Sequence, residues 1–309
     1  MPNRTRTLPA AAALLLAAVL TACSSASGDR PATPSGGSSD DGHSHSHSAE
    51  PGLGHVHGLG INPGDGKLYV ATHYGIVAVD DDGGTERVGD TADYMGFAVA
   101  GPDTFLGSGH PAEGSDEPAN RGLIRSTDAG KTWQTLSLGG EVDFHALEQA
   151  HGTVYGYDST HGTLRVSEDG KDWDERAELA ALDIAVSPKD PDVVLATTRN
   201  GVARSTDGGR TFSGGTGPVL AYLSWAGEDG KDGEDGLYGI DLQGAVHRST
   251  DGGGSWTRTG TVPGGQPQAL TAAGPDHILA ATAGGVHESH DGGKSFTERL
   301  EMSDGAHSH

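Results

Sequence analysis

Residues 126–133 read Ser-Thr-Asp-Ala-Gly-Lys-Thr-Trp. The phrase returns as Ser205-Thr206-Asp207-Gly208-Gly209-Arg210-Thr211-Phe212, as Ser249-Thr250-Asp251-Gly252-Gly253-Gly254-Ser255-Trp256 and as Ser289-His290-Asp291-Gly292-Gly293-Lys294-Ser295-Phe296. A copy one residue short runs Ser167-Glu168-Asp169-Gly170-Lys171-Asp172-Trp173, and a degenerate sixth reads Asp80-Asp81-Asp82-Gly83-Gly84. The leading serines stand 41, 38, 44 and 40 positions apart, which is the length of one four-stranded propeller blade. In each copy the carboxylate can accept from N–H groups of its own hairpin. Glycine supplies the positive φ of a tight turn, and the closing aromatic is placed to pack between blades. Asp128, Asp169, Asp207, Asp251 and Asp291 are therefore read as turn-stabilising residues rather than catalytic ones.

Between the repeats lie short β-rich runs, for example residues 55–61, 67–72 and 75–79, or 182–186, 193–197 and 201–204, with an outer strand after each repeat as at 296–300. This predicts an all-β, six-bladed β-propeller over residues 53–302. It begins on an inner strand and ends on an outer one, so no blade is shared between the two ends. Ring closure must rest on contacts between blades one and six.

The motif S-x-D-x-G-x-T-W carried by these residues resembles the Asp-box, or BNR repeat, of the sialidase-like β-propellers. That resemblance implies the propeller fold and, as one activity, glycoside hydrolysis. Sialidase-like enzymes hold a substrate carboxylate with an arginine cluster and use a Glu-activated Tyr nucleophile and an Asp acid. Here Arg125, Arg165, Arg204 and Arg248 fall on third strands just before the repeats, away from the mouth. Only Arg121 and Arg199 are placed to reach it, and the family's early Arg-Ile-Pro signature is missing. A sialidase is disfavoured, while a hydrolase built on Asp143, Asp183, Asp241 or Glu141 stays open. The repeats also resemble those of sortilin-type and photosystem-assembly propellers, which implies a third reading, a non-catalytic docking platform.

In a propeller, the starts of the inner strands and the turns between second and third strands share one face. Aligning the inner strands gives a column of His57, Met95, His145 and Asp183, completed by Leu223 and Gln268, and a second column of His55, Asp93 and Asp143. Strand alternation places both columns on the same side. The returning turns add His73, His110, Asp158 with His161, and Arg199. Seven candidate metal ligands thus gather at one mouth: His55, His57, His73, Met95, His110, His145 and Asp183. Imidazole, thioether and carboxylate suit copper or zinc, and the thioether tilts the choice to copper. The alternative is that these side chains fill the channel and hydrogen-bond neighbouring blades. His151, His247, His277 and His287 are read as ordinary surface or strand histidines.

The chain has 309 residues, with 43 acidic against 20 basic side chains, a net charge of -23 and one cysteine. A single Cys excludes internal disulfides, a CxxC pair and a thiolate zinc site. The acidic balance excludes nucleic acid as a partner and favours cations. A monomer is expected, with a metal ion or small ligand at the mouth.

Arg4 and Arg6 precede an apolar run over residues 8–20 that ends in Leu20-Thr21-Ala22-Cys23. This has the layout of a secretory signal, and its end resembles a bacterial lipobox. Residues 1–22 are expected to be removed and Cys23 lipidated, anchoring the protein to the outer face of the bacterial cell membrane. Residues 23–52 are too polar to order themselves and read as a linker, and residues 303–309 as a tail. The linker holds His43-Ser44-His45-Ser46-His47, an imidazole tract able to wrap a divalent cation, and the tail holds His307 and His309. An acidic insertion over residues 227–236 reads as a hairpin tip with at most weak Ca²⁺ contact.

Overall fold

Short alternating runs of Val, Ile, Leu, Ala and Tyr broken by glycine turns form strands, because such side chains pack well on a pleated surface. A computed structural model of the chain describes residues 53–227 and 236–302. The lipobox at Cys23, the His43, His45 and His47 tract, Asp229, Asp232, Glu234 and Asp235 of the acidic insertion, and His307 and His309 lie outside the described residues.

The described residues form 23 strands in six small antiparallel sheets arranged as a six-bladed β-propeller. Blade one is β1 (Val56–Ile61), β2 (Leu68–Thr72), β3 (Gly75–Val79) and β4 (Thr85–Val88). Blade two is β5 (Asp93–Gly101), β6 (Thr104–His110), β7 (Leu123–Ser126) and β8 (Gln134–Ser137). Blade three is β9 (Phe144–Ala150), β10 (Thr153–Asp158), β11 (Thr163–Ser167) and β12 (Asp174–Glu178). Blade four has three strands, β13 (Ile184–Val186), β14 (Val194–Thr198) and β15 (Gly201–Ser205). Blade five is β16 (Tyr222–Trp225), β17 (Leu237–Ile240), β18 (Ala245–Ser249) and β19 (Thr257–Thr261), and blade six is β20 (Pro267–Ala272), β21 (Ile278–Thr282), β22 (Gly285–Ser289) and β23 (Thr297–Glu301). In blade four the outer strand shrinks to a single bridge between Val202 and Thr216. The segment there, Ser213-Gly214-Gly215-Thr216-Gly217-Pro218, is poor in strand formers.

Apolar packing is distributed around the ring rather than gathered at a centre. Six buried clusters each join two neighbouring blades. Tyr69, Ile76 and Tyr94 join blades one and two, and Leu106, Leu123 and Phe144 join two and three. The cluster of Val56, Leu59, Val70, Ala269, Leu279 and Val286 joins blade six to blade one. Closure therefore rests on side-chain packing, reinforced by the Val56 N–H donating to Gln268 Oε1 (2.9 Å) and Thr271 Oγ1 donating to the Leu59 carbonyl (2.8 Å).

The repeated motif forms one kind of turn at four places. At Asp128, Oδ1 accepts from Ser126 Oγ (2.8 Å) and the Thr132 N–H (2.9 Å), and Oδ2 from Thr132 Oγ1 (2.6 Å). The Gly130 N–H returns to Ser126 Oγ (2.9 Å) with Gly130 at φ +84°, a conformation that disfavours any side chain. In the short copy the turn differs. Asp169 Oδ1 accepts from the Lys171 and Asp172 N–H groups (2.8 and 2.9 Å), and Asp172 stands where the other copies supply a hydroxyl. Its Trp173 reaches across to blade two, donating from Nε1 to Ser137 Oγ (2.9 Å).

Candidate metal centre at the mouth of the ring

Blade one delivers three imidazoles to one mouth. His55 lies just before β1, His57 within it, and His73 in the tight turn joining β2 to β3. That turn is held by the Tyr74 N–H donating to Thr72 Oγ1 (3.0 Å) and by Thr72 Oγ1 donating to the Gly75 carbonyl (2.9 Å). The His73 N–H donates to the His55 carbonyl (3.3 Å), tying the two ends together.

His57 is the extra residue of a β-bulge, since Val56 pairs with Thr72 and Gly58 with Ala71. The same irregularity falls at Met95, His145 and Gln268 in blades two, three and six. The aligned column is thus a column of bulges in four blades, and uniform alternation does not hold across it. A bulge re-aims its side chain and steepens the local twist. The residue that follows approaches the next blade closely. A Cβ on Gly58 would stand 2.8 Å from Phe97 Cβ, and one on Gly96 would stand 2.4 Å from the Phe144 carbonyl oxygen.

One donor nitrogen each from His55, His57 and His73 lies within 4.8 Å of the others. Ring centroids are 4.7 Å apart for His55 and His57, 4.5 Å for His57 and His73, and 5.9 Å for His55 and His73. Behind this cluster, Asp93 Oδ1 lies 3.0 Å from His73 Nδ1. With Nδ1–H donating to that carboxylate, His73 Nε2 keeps its lone pair. Burial, then His55, His73 and His145, push the His57 pKa down to about 3. Burial and then His73 lower that of His55 as well. Both shifts favour the neutral form of His55 and His57, the state in which imidazole ligates metal. His55 Nδ1 is buried without a hydrogen-bond partner of good geometry, an orphaned lone pair or N–H in a polar pocket.

The other four expected ligands are arranged differently. Asp143 Oδ2 gathers His145 Nε2 at 2.7 Å and His110 Nε2 at 3.6 Å, a second polar group on blades two and three. Asp183 is turned to backbone: Oδ1 accepts the Ile184 N–H and Oδ2 the Leu223 N–H, both at 2.9 Å. It links blade four to blade five. Met95 sits half-buried on its bulge in β5, two residues after Asp93. The three histidines that close to a point all come from blade one.

Of the two arginines expected to reach this mouth, Arg199 is exposed, while Arg121 is buried and engaged. Its guanidinium lies 5.5 Å from the Tyr94 ring centroid and pairs with Asp90 (3.3 Å) and Glu117 (3.3 Å). It is held as a structural cation, not presented to a ligand.

Below the mouth runs a channel of about 790 Å³, lined by inner-strand residues that include His57, His145, Glu148, Asp183 and Tyr222. Glu148 Oε2 accepts the Val186 N–H (2.8 Å), linking blade three to blade four. Burial, with Asp183 adding to it, pushes the Glu148 pKa up to about 8, and burial pushes that of Asp183 up to about 7. Glu148 carries no repeat or spacing signal that marks it in the sequence.

A second three-donor group lies at the opposite end of blade six. His277, Glu288 and His290 bring one ligand atom each within 4.8 Å. His277, expected as an ordinary surface or strand histidine, lies 2.6 Å from Glu288 Oε1, because β21 and β22 lie side by side. The Glu288-Ser289-His290 run is the local signal, with two potential ligands two residues apart at a strand end.

No known protein family's sequence pattern matches the chain, and no curated protein matches it. Solved structures do. The chain is similar to a gluconolactonase from Xanthomonas campestris (15% identity, 74% of this chain and 84% of that one, TM-score 0.57). It is also similar to virginiamycin B lyase from Staphylococcus aureus (14%, 81% and 85%, TM-score 0.52). An ancestral GH74 enzyme aligns with 77% of this chain at 13% identity and TM-score 0.52, and this chain spans 37% of that enzyme's length. At such identities the shared property is the propeller fold, which hosts many activities.

Proposed function

We propose that the protein is a binding protein for a transition-metal ion, held at the mouth of the ring by His55, His57 and His73. The observation that carries this reading is the approach of three imidazole donors to within 4.8 Å of one another. Support comes from the carboxylate of Asp93 behind His73 and from the orphaned His55 Nδ1. An all-nitrogen set follows the general affinity order, in which copper(II) exceeds zinc. Copper(II) is the proposed ion and zinc the next, on a different argument from the thioether of Met95. The Cys23 lipobox and polar linker support an anchored position at the outer face of a bacterial membrane, where an acidic surface gathers cations.

Elemental analysis of the full chain after copper loading and dialysis tests the proposal, beside a His57→Ala/His73→Ala chain of unchanged circular dichroism. One copper equivalent lost in the double variant is expected. Equal copper in both chains, with the His43, His45 and His47 tract replaced by serine in each, would falsify it.

A second reading, glycoside hydrolysis, draws on Glu148 and Asp183, two carboxyl groups with raised pKa values lining one channel. Turnover of any member of a glycoside panel that disappears in Glu148→Gln would establish that reading in place of metal binding. Lack of turnover across the panel removes it.

A further inference from the structure

We infer that His277, Glu288 and His290 form a second metal site, for zinc, on the face of the ring opposite the proposed copper centre. The site does not share a residue with that centre, and the two can fail independently. His277 closes the β20–β21 hairpin, where its N–H and carbonyl both pair with Gly274. Glu288 lies on β22 beside Leu279, and His290 begins the turn that follows. The Glu288 carboxylate is the centre of the group. Its Oε1 lies 2.6 Å from His277 Nε2 and 3.4 Å from His290 Nε2. The two rings are stacked at 4.3 Å between centroids, with planes 32° apart.

Glu288 is 6% exposed at its side chain, His277 26% and His290 68%, so the ligands rise from a buried carboxylate to an open imidazole. A cavity of about 260 Å³ adjoins them, bordered by Ile61, Leu68, Asp81 and Leu279. Two imidazoles and one carboxylate with room for a solvent molecule is the ligand set of open zinc sites. The group behind the carboxylate suits this role. Arg299 donates to Glu288 Oε2, which leaves Oε1 as the atom facing both imidazoles and favours one-oxygen ligation. Arg299 in turn reaches Asp81 Oδ1 (3.3 Å) and the Asp80 carbonyl (3.4 Å) in blade one. Burial opposes ionisation of Glu288, but Arg299 and His277 outweigh it and keep the carboxylate ionised. A bound ion would thus lie beside the seam where blade six meets blade one.

The test uses zinc chloride and the full chain, with His43, His45, His47, His307 and His309 changed to serine and His57 and His73 to alanine. Equilibrium dialysis at micromolar zinc should leave one bound equivalent. Adding His290→Ala should lower affinity at least tenfold, and adding His277→Ala should remove the equivalent, with circular dichroism and metal-free Tm unchanged for His290→Ala, an exposed side chain. Cobalt(II) bound in place of zinc should show a tetrahedral visible spectrum that His290→Ala abolishes. No bound zinc in the mouth-silenced chain, or an equivalent that survives loss of both His277 and His290, overturns the inference. A parallel copper titration of a chain with His57 and His73 intact, the five tail histidines changed to serine and His277→Ala/His290→Ala added reads the mouth site.

Discussion

His57 Nε2 stands 3.4 Å from His73 Nδ1, two imidazoles held in contact by the pairing of β1 with β2. Burial is the main reason that the His57 pKa falls so far, and the neighbouring imidazoles, which repel one another's protons, add to it. The arrangement keeps His57 unprotonated down to acidic pH.

Asp93 is the positioning residue for this cluster, acting through His73. Asp93→Ala should weaken copper binding by about 10–100-fold while leaving the stoichiometry intact. Competition titration against a chromophoric chelator measures it, and unchanged affinity would show that the carboxylate serves another purpose.

Glu148 makes stability depend on pH. Its carboxyl is raised to about 8 in the fold, against about 4.3 in an unfolded chain. The folded form therefore holds a proton that the unfolded form releases. This contribution is fully present below pH ~4 and is lost as pH rises towards 8. Glu148→Gln keeps an acceptor for the Val186 N–H and removes the titration. Between pH 5 and pH 8 the Tm of the variant relative to wild type should rise by roughly 3 °C or more. A pH-independent difference in Tm would contradict the burial assigned to this group.

The turn motifs should differ in weight. Asp128→Ala removes three hydrogen bonds and should cost about 1–2 kcal/mol, or roughly 2–4 °C in Tm for a domain of this size. Asp169→Ala should lower Tm less, because its one hydroxyl donor, Ser167 Oγ, stands at 3.2 Å and Asp172 replaces the second hydroxyl that the other copies supply. Calorimetry of the two variants reads the order, and a larger loss at Asp169 would reverse the argument.

Gln268 probes ring closure. Gln268→Ala leaves the Val56 N–H buried without its acceptor, a cost of about 1–3 kcal/mol. Amide hydrogen exchange at Val56 and Leu59 should quicken more than at Phe105 in blade two. Uniform acceleration around the ring would mean that closure is no weaker than any other blade junction.

Much of the fold was legible because each blade is written locally. Ser126, Asp128, Gly130 and Thr132 make a turn from bonds among neighbours in sequence, and repetition at blade spacing gives the strand order. The missing outer strand of blade four was less legible, since Ser213-Gly214-Gly215 weakens a strand without marking its loss. Of the seven expected ligands, His55, His57 and His73 meet. Asp183 is drawn to the Leu223 N–H of the next blade, a bond between residues 40 positions apart.

The sequence by itself determined the number of blades, the phase in which they begin and end, and the turn that closes each one, all of which depend on short-range hydrogen bonding and period-two burial. Tertiary structure alone decided which donors converge. A bulge at His57 shifts the pairing register by one residue, and strand adjacency brings His277 to Glu288. Side-chain direction at such points is set by how neighbouring strands and blades pack, and no spacing along the chain records it.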